Sequence, residues 1–158
     1  MSDPDTRIVD FWRAYVESAH VNMNDFDVCS FGDSPEIADR LAGLVESGIK
    51  RATTSLYRQY IDAAETLPRV GDLSIVVDGD DTPRCIIRVV QVEIKEMRNV
   101  DAQFAWDEGE GDRSLAYWQS AHKAFFARQA LRAGFDVDDD AEVVLERFEV
   151  IWPPQLAD

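Results

Sequence analysis

The stretch Ser47-Gly48-Ile49-Lys50-Arg51-Ala52-Thr53-Thr54 brings one ammonium and two hydroxyls to a single corner of the chain. A lysine beside a threonine is a base beside a nucleophile when the amine is neutral. The same lysine equally reads as a helix-closing residue whose charge faces the C-terminal end of the helix dipole. A second group follows at Glu108-Gly109-Glu110-Gly111-Asp112. Its alternating carboxylates can supply a general acid or hold a cation, or simply form a solvated capping loop. Glycines on both sides of Glu110 point to a tight turn or to close backbone approach. Arg113, Ser114, Tyr117 and Trp118 come next. An aromatic beside such a loop can stack on a nucleobase or fill a core.

Other candidate motifs fail on spacing. Asp136-Val137-Asp138-Asp139-Asp140 has calcium-loop chemistry, but the positions that need glycine and glutamate hold Ala141 and Arg147. It reads as an acidic turn before a strand. Gly109-Glu110-Gly111 lacks the lysine and third glycine of phosphate loops, and its flanking acids repel phosphate. Cys29 and Cys85, with His20 and His122, have no zinc-site spacing, and both cysteines sit in apolar runs as small core residues. No metal and no cofactor is expected.

The elements that must position these residues are legible from periodicity and punctuation. Residues 4–19 read as a helix, capped by Ser2 or Asp3, with Ile8, Phe11, Trp12, Tyr15, Val16 and Ala19 on one face. Val21 to Asp27 reads as a connector and Val28 to Phe31 as a short strand. Asp33 or Ser34 caps a helix with an apolar face of Ile37, Leu41, Leu44 and Val45, and Gly48 ends it. Arg51 to Ser55 is extended, and a helical turn spans about Leu56 to Ala64. Leu73 to Asp78 and Arg84 to Met97 form strands around a turn at Gly79–Pro83. Val100 to Asp107 is a short helix. Asp112 caps a long helix over about 113–132, facing inward through Leu115, Trp118, Ala121, Phe125, Phe126 and Leu131. Glu142 to Trp152 is a last strand, stopped by Pro153-Pro154. The order predicts a single-domain α+β fold around a small β-barrel closed by the C-terminal strand.

The geometry of the first corner carries its own condition. Along a regular strand, Lys50 shares a face with Thr54 and not with Thr53. Pairing Lys50 with Thr53 requires a turn or bulge within residues 49–52; without one, Thr54 is the better nucleophile.

The 158 residues carry 31 acids against 16 bases, a net charge of −15. Such a surface repels a long polyanion and leaves a small neutral ligand unaffected. A basic groove around Lys50, Arg51 and Arg58 is the one route to RNA. No apolar run is long enough to span a bilayer, and Met1-Ser2-Asp3-Pro4-Asp5 lacks signal-peptide character. A soluble cytoplasmic protein is expected.

Several of these segments together resemble the ASCH family, in its longer, acidic bacterial branch. They are Phe31-Gly32-Asp33-Ser34-Pro35, Gly48-Ile49-Lys50-Arg51-Ala52-Thr53, Val70-Gly71-Asp72, Glu108 to Leu115, and Glu146-Arg147-Phe148-Glu149-Val150. The resemblance implies a PUA-like barrel over residues 31–153, with residues 1–30 as a helical extension packed on it. It implies RNA or nucleotide binding, with ribonuclease activity in a relative. In one branch it implies hydrolysis of the acetyl amide of N4-acetylcytidine. Carried over by position, the catalytic set is Lys50, Thr53 and Glu108, with Glu110 as the alternative acid. Substrate contacts are expected from Arg51, Thr54, Arg58, Glu110, Arg113 and Tyr117. The chain departs from that branch at Ser55, where the amidohydrolases carry arginine. In the required chemistry a neutral Lys50 takes the Thr53 proton, and a protonated Glu108 gives one to the leaving nitrogen. The expected ligand is a small nucleoside-like substrate or, alternatively, a short RNA.

Overall fold

In a computed structural model, residues 4–21 and 26–158 are described. The first helix, α1 (Pro4–Ala19), starts at the proline, whose missing N–H costs nothing in a first turn. The expected caps Ser2 and Asp3, and most of the 21–27 connector, lie outside the described residues. The chain continues as β1 (Asp27–Cys29), α2 (Pro35–Glu46), β2 (Ala52–Leu56), α3 (Tyr57–Ala63), β3 (Leu73–Val77), β4 (Pro83–Glu96), α4 (Ala102–Glu108), α5 (Leu115–Ala133) and β5 (Glu142–Trp152).

The strands form one five-stranded sheet in the order β1-β3-β4-β5-β2. Among the described strands only the β1–β3 pair runs parallel. Register shifts at Val76/Val77, Ile86/Ile87 and Val89/Gln91 bend the two long strands, since an extra residue on one side of a ladder kinks it. The result is a single α+β domain built on a curled half-barrel. The C-terminal strand does not close it: β5 lies inside the sheet between β4 and β2, while β1 and β2 are the edges.

Helices cover both faces. On one face α2 buries Leu41, Ala42 and Val45 against Val76, Cys85, Ile87, Phe148 and Val150. On the other, α1 packs Trp12 and Tyr15 on Leu73, Ile75, Val77 and Ile86. Beside them α4 and α5 bury Phe104, Ala105, Trp118 and Phe126 on Ala52, Leu56, Val143 and Leu145. Both cysteines are packed with the α2 cluster, and burial pushes their thiols up to about 12. None of the described helices is long and apolar enough to cross a membrane.

Two expectations about α5 need correction. Its cap is Ser114, whose Oγ accepts from Tyr117 N at 3.0 Å; Asp112 instead accepts from Ser114 N. Its buried stripe is Trp118, His122, Phe126 and Ala130, an i, i+4 series that leaves Leu131 82% exposed. The acidic turn at 136–140 is closed by Asp138, which accepts from Asp140 N, and it pairs with Arg98 and Lys123.

Candidate active site

The helix-to-strand corner forms around Gly48, whose φ of +84° suits a residue without a Cβ. Leu44 O then accepts from both Ile49 N and Lys50 N. The turn falls at Ser47-Gly48, ahead of the 49–52 stretch; Lys50 precedes the regular strand, and its side chain folds back on Ala52 O, while no hydrogen bond joins it to Thr53 among the described residues. Arg51 N donates to Asp107 O at 2.7 Å, tying the corner to the end of α4. Gly109 ends α4 at a φ of +78°, and a Cβ there would lie 2.4 Å from Ile49 O. A Cβ on Gly111 would lie 2.4 Å from the Tyr117 ring. The two glycines beside Glu110 are therefore where the acidic loop lies against its neighbours.

This contact buries an ionic cluster. The side chains of Lys50 and Glu108 are 1% and 2% exposed. Lys50 Nζ donates to Ala52 O at 2.8 Å and to Glu110 Oε2 at 2.9 Å. It also lies 3.3 Å from Glu108 Oε2 and 3.4 Å from Glu108 O. The Phe31 ring centroid is 5.1 Å from Nζ. Glu108 Oε1 accepts from Thr54 Oγ1 and from Trp118 Nε1, each at 2.7 Å. Its Oε2 stands 3.3 Å from His122 Nε2. His122 stacks on Trp118 with centroids 4.3 Å apart, and its Nδ1 lies 2.9 Å from Trp118 O. A carbonyl only accepts, so Nδ1 carries a proton. Donation from Nε2 to the carboxylate then requires the imidazolium.

Charge follows from these contacts. Burial alone disfavours the Lys50 ammonium, but Glu108 and Glu110 together hold its pKa above the ordinary value. Burial disfavours the Glu108 carboxylate too, yet Lys50 and His122 hold it well below the usual carboxylate range. Burial opposes charging His122, and Glu108 outweighs it, raising the imidazole. The expected neutral lysine and protonated glutamate are thus reversed. The resting site holds an ammonium and a carboxylate, because each is the other's main replacement for water.

Glu108, Glu110 and His122 offer ligand atoms within 4.8 Å of one another, a metal-like set. Lys50 already bridges both carboxylates, so a cation entering there meets an ammonium first.

A cavity of about 290 Å³ opens beside the cluster, lined by residues of β2, α2 and α5. Lys50, Thr53, Thr54, Glu108, Glu110 and Tyr117 line it, all expected from sequence. Thr54 is committed to Glu108. Thr53 has no hydrogen-bond partner for its hydroxyl among the described residues. Three expected substrate contacts are not in the lining. Arg51 turns to Val45 O, Lys50 O and Asp158. Arg58 lies on the Phe135 ring and pairs with Asp62. Arg113 covers Trp106 and donates to Trp106 O and Ile49 O. Ser55 bonds Tyr60 at 2.8 Å and, like Arg58, is absent from the lining.

The ASCH domain sequence profile matches residues 27–152, which include every element of this site. The chain belongs to the ASCH domain family. Solved structures agree. An ASCH domain from Lactobacillus crispatus JV V101 is 36% identical, with a TM-score of 0.86 over 92% of this chain and 94% of that one. Protein EF3133 from Enterococcus faecalis V583 is 35% identical, with a TM-score of 0.87 over 92% and 88%. The hypothetical protein PH0355 shares the fold alone, at 15% identity and a TM-score of 0.51 over 72% of this chain and 93% of that one. Comparison with curated proteins returns no match.

Sequence reasoning placed Trp118 in the core and set His122 aside. In this ASCH domain both are partners of Glu108. Their i, i+4 spacing, with a ring N–H on each, was the available signal. Arg40 and Arg128 of the lining also went unremarked, and Phe31 and Phe125 were read only as a strand end and a helix face.

Proposed function

We propose that this ASCH domain is a hydrolase that cleaves the acyl amide of a modified nucleoside of the N4-acetylcytidine type. One observation carries the reading: an unbonded threonine hydroxyl, Thr53, lines the same small cavity as the buried Lys50–Glu108 ion pair. A volume of about 290 Å³ suits one nucleoside better than a polymer.

In this reading Thr53 attacks the acyl carbon. Lys50 acts as an ammonium that polarises the acyl oxygen, not as the base. Glu110, 20% exposed, is the partner that yields its place on Nζ to the substrate. Glu108 fixes the lysine and, through Thr54, Trp118 and His122, cannot rotate away. A preorganised donor of this kind contributes about 10²–10³-fold in rate. Phe31, Tyr117 and Phe125 supply flat apolar surface for a base. The acidic surface tolerates a neutral ligand.

A second reading, nucleotide or RNA binding in the same cleft, rests on Arg40. It lines the cavity and has no ion-pair partner among the described residues. Incubation with N4-acetylcytidine and, separately, with a short RNA distinguishes the two. The hydrolase reading expects acetate and cytidine from the wild type, none from Lys50→Ala, and intact RNA throughout. RNA binding or cleavage without acetate release rejects it in favour of the second reading.

A further inference from the structure

The side chains of β5 alternate faces, and on the α2 side they are Val144, Glu146, Phe148 and Val150. Three of the four are buried apolar residues. Glu146 puts a carboxyl where the pattern calls for another hydrophobe. It is half-buried, and it has no hydrogen bond or ion pair among the described residues.

Its partner across the ladder is Thr53. Phe148 N donates to Arg51 O, which makes Arg51 and Phe148 a hydrogen-bonded pair. Two residues along, Thr53 and Glu146 form the next such pair, with Cα atoms about 5.5 Å apart and side chains on one face. The unbonded hydroxyl and the unbonded carboxyl thus project from the same face of the sheet at paired positions, with no hydrogen bond between them in the free protein. Each lacks a partner that the other can supply.

We propose that Glu146 is the proton acceptor for Thr53. This rests on the hydrolase reading above. As the Thr53 Oγ1–carbon bond forms, the carbonyl pair moves onto oxygen beside the Lys50 ammonium, and Glu146 takes the hydroxyl proton. When the carbon–nitrogen bond breaks, that proton goes to the departing amine. Water then attacks the acyl ester on Thr53 and gives a proton to Glu146. The carbon–Oγ1 bond breaks, and Thr53 recovers its proton. The sum is amide plus water giving acid plus amine.

The surroundings suit the task. Burial first, then Asp72 and Glu108, push Glu146 up to about 7. Cys29 of β1 and Tyr60 of α3 also feel its charge, and the Tyr60 hydroxyl is held by Ser55. Two carboxylates with pKa values driven apart, Glu108 down and Glu146 up, divide the labour of charge holder and base.

The test combines wild type, Glu146→Gln and Glu146→Asp in two measurements. The first is the pH profile of acetate release from N4-acetylcytidine; the second is the NMR titration of the Glu146 carboxyl in free protein. The proposal expects a Glu146 midpoint near 7 and a wild-type kcat/KM that rises to a plateau through the same range. It expects Glu146→Gln to lose that limb and about 10²–10⁴-fold in kcat with KM little changed, and Glu146→Asp to keep the limb at a reduced rate. Wild-type acetate release with an unaltered Glu146→Gln profile, or a carboxyl titrating in the ordinary range, overturns the role of Glu146 alone. No acetate release by wild type overturns the hydrolase reading, and this role with it.

Discussion

Lys50 has exchanged water for two carboxylates and two carbonyls, so its charge cannot be removed without consequence. Lys50→Met leaves Glu108 buried without its cation, which costs about 3–5 kcal/mol; urea unfolding measures this. The linkage to pH has a definite sign. Glu108 is depressed in the folded state, so its contribution is present above its ordinary value of 4.5 and is lost as pH falls through the folded value. Lys50 is raised, so its contribution is present below 10.5 and lost as pH climbs beyond it. The two threonines separate by the same reasoning. Thr54→Ala removes a hydrogen bond to a buried carboxylate and costs about 1.5–3 kcal/mol. Thr53→Ala removes an unbonded hydroxyl and costs under about 1 kcal/mol, chiefly strand preference. The positions of Lys50, Thr53 and Glu108 were legible because a glycine, an amine and hydroxyls crowd one helix end. The charge on Glu108 was not, since it depends on Lys50 folding back onto it and on His122, which reaches it from a different helix.

At the scale of elements, the corner and the acidic loop hold each other. Gly109 is the hinge of that contact, with positive φ and Ile49 O where a Cβ would go. Gly109→Ala combines backbone strain with a clash against main chain, and thermal melting is expected to show a loss of about 1–3 kcal/mol. The β2–β5 ladder carries a prediction of opposite sign. Glu146 is raised to about 7, so between its ordinary value of 4.5 and about 7 the folded state holds a proton that the unfolded chain has released. Stability therefore falls as pH rises across that window. Glu146→Gln abolishes this slope and melts higher than wild type at pH 8. Most elements were readable because their boundaries are local: Ser34 and Pro35 start α2, Gly48 ends it, and Pro153 follows β5. The register that sets Glu146 against Thr53 was not readable, because those residues are far apart in sequence and nothing local selects their pairing. The same limit explains why β5 was expected to close a barrel and instead lies inside an open, curled sheet.

For the whole molecule, a net charge of −15 and a cavity for one small ligand point the same way. Arg51, Arg58 and Arg113, the arginines expected to contact substrate, are each engaged elsewhere, and Arg40 is left at the rim. Few phosphate contacts mean weak RNA binding with a shallow salt dependence, a slope near that of one or two released ions rather than six to ten. The central claim is that a free Thr53 hydroxyl beside an ionised Lys50–Glu108 pair opens a nucleoside amide. Chromatographic assay of cytidine formed from N4-acetylcytidine by wild type, Thr53→Ala and Thr54→Ala tests it most directly. The account predicts turnover by the wild type, reduced but measurable turnover by Thr54→Ala, and none by Thr53→Ala in a protein that melts normally. Wild-type turnover by Thr53→Ala, or no cytidine from the wild type, contradicts it.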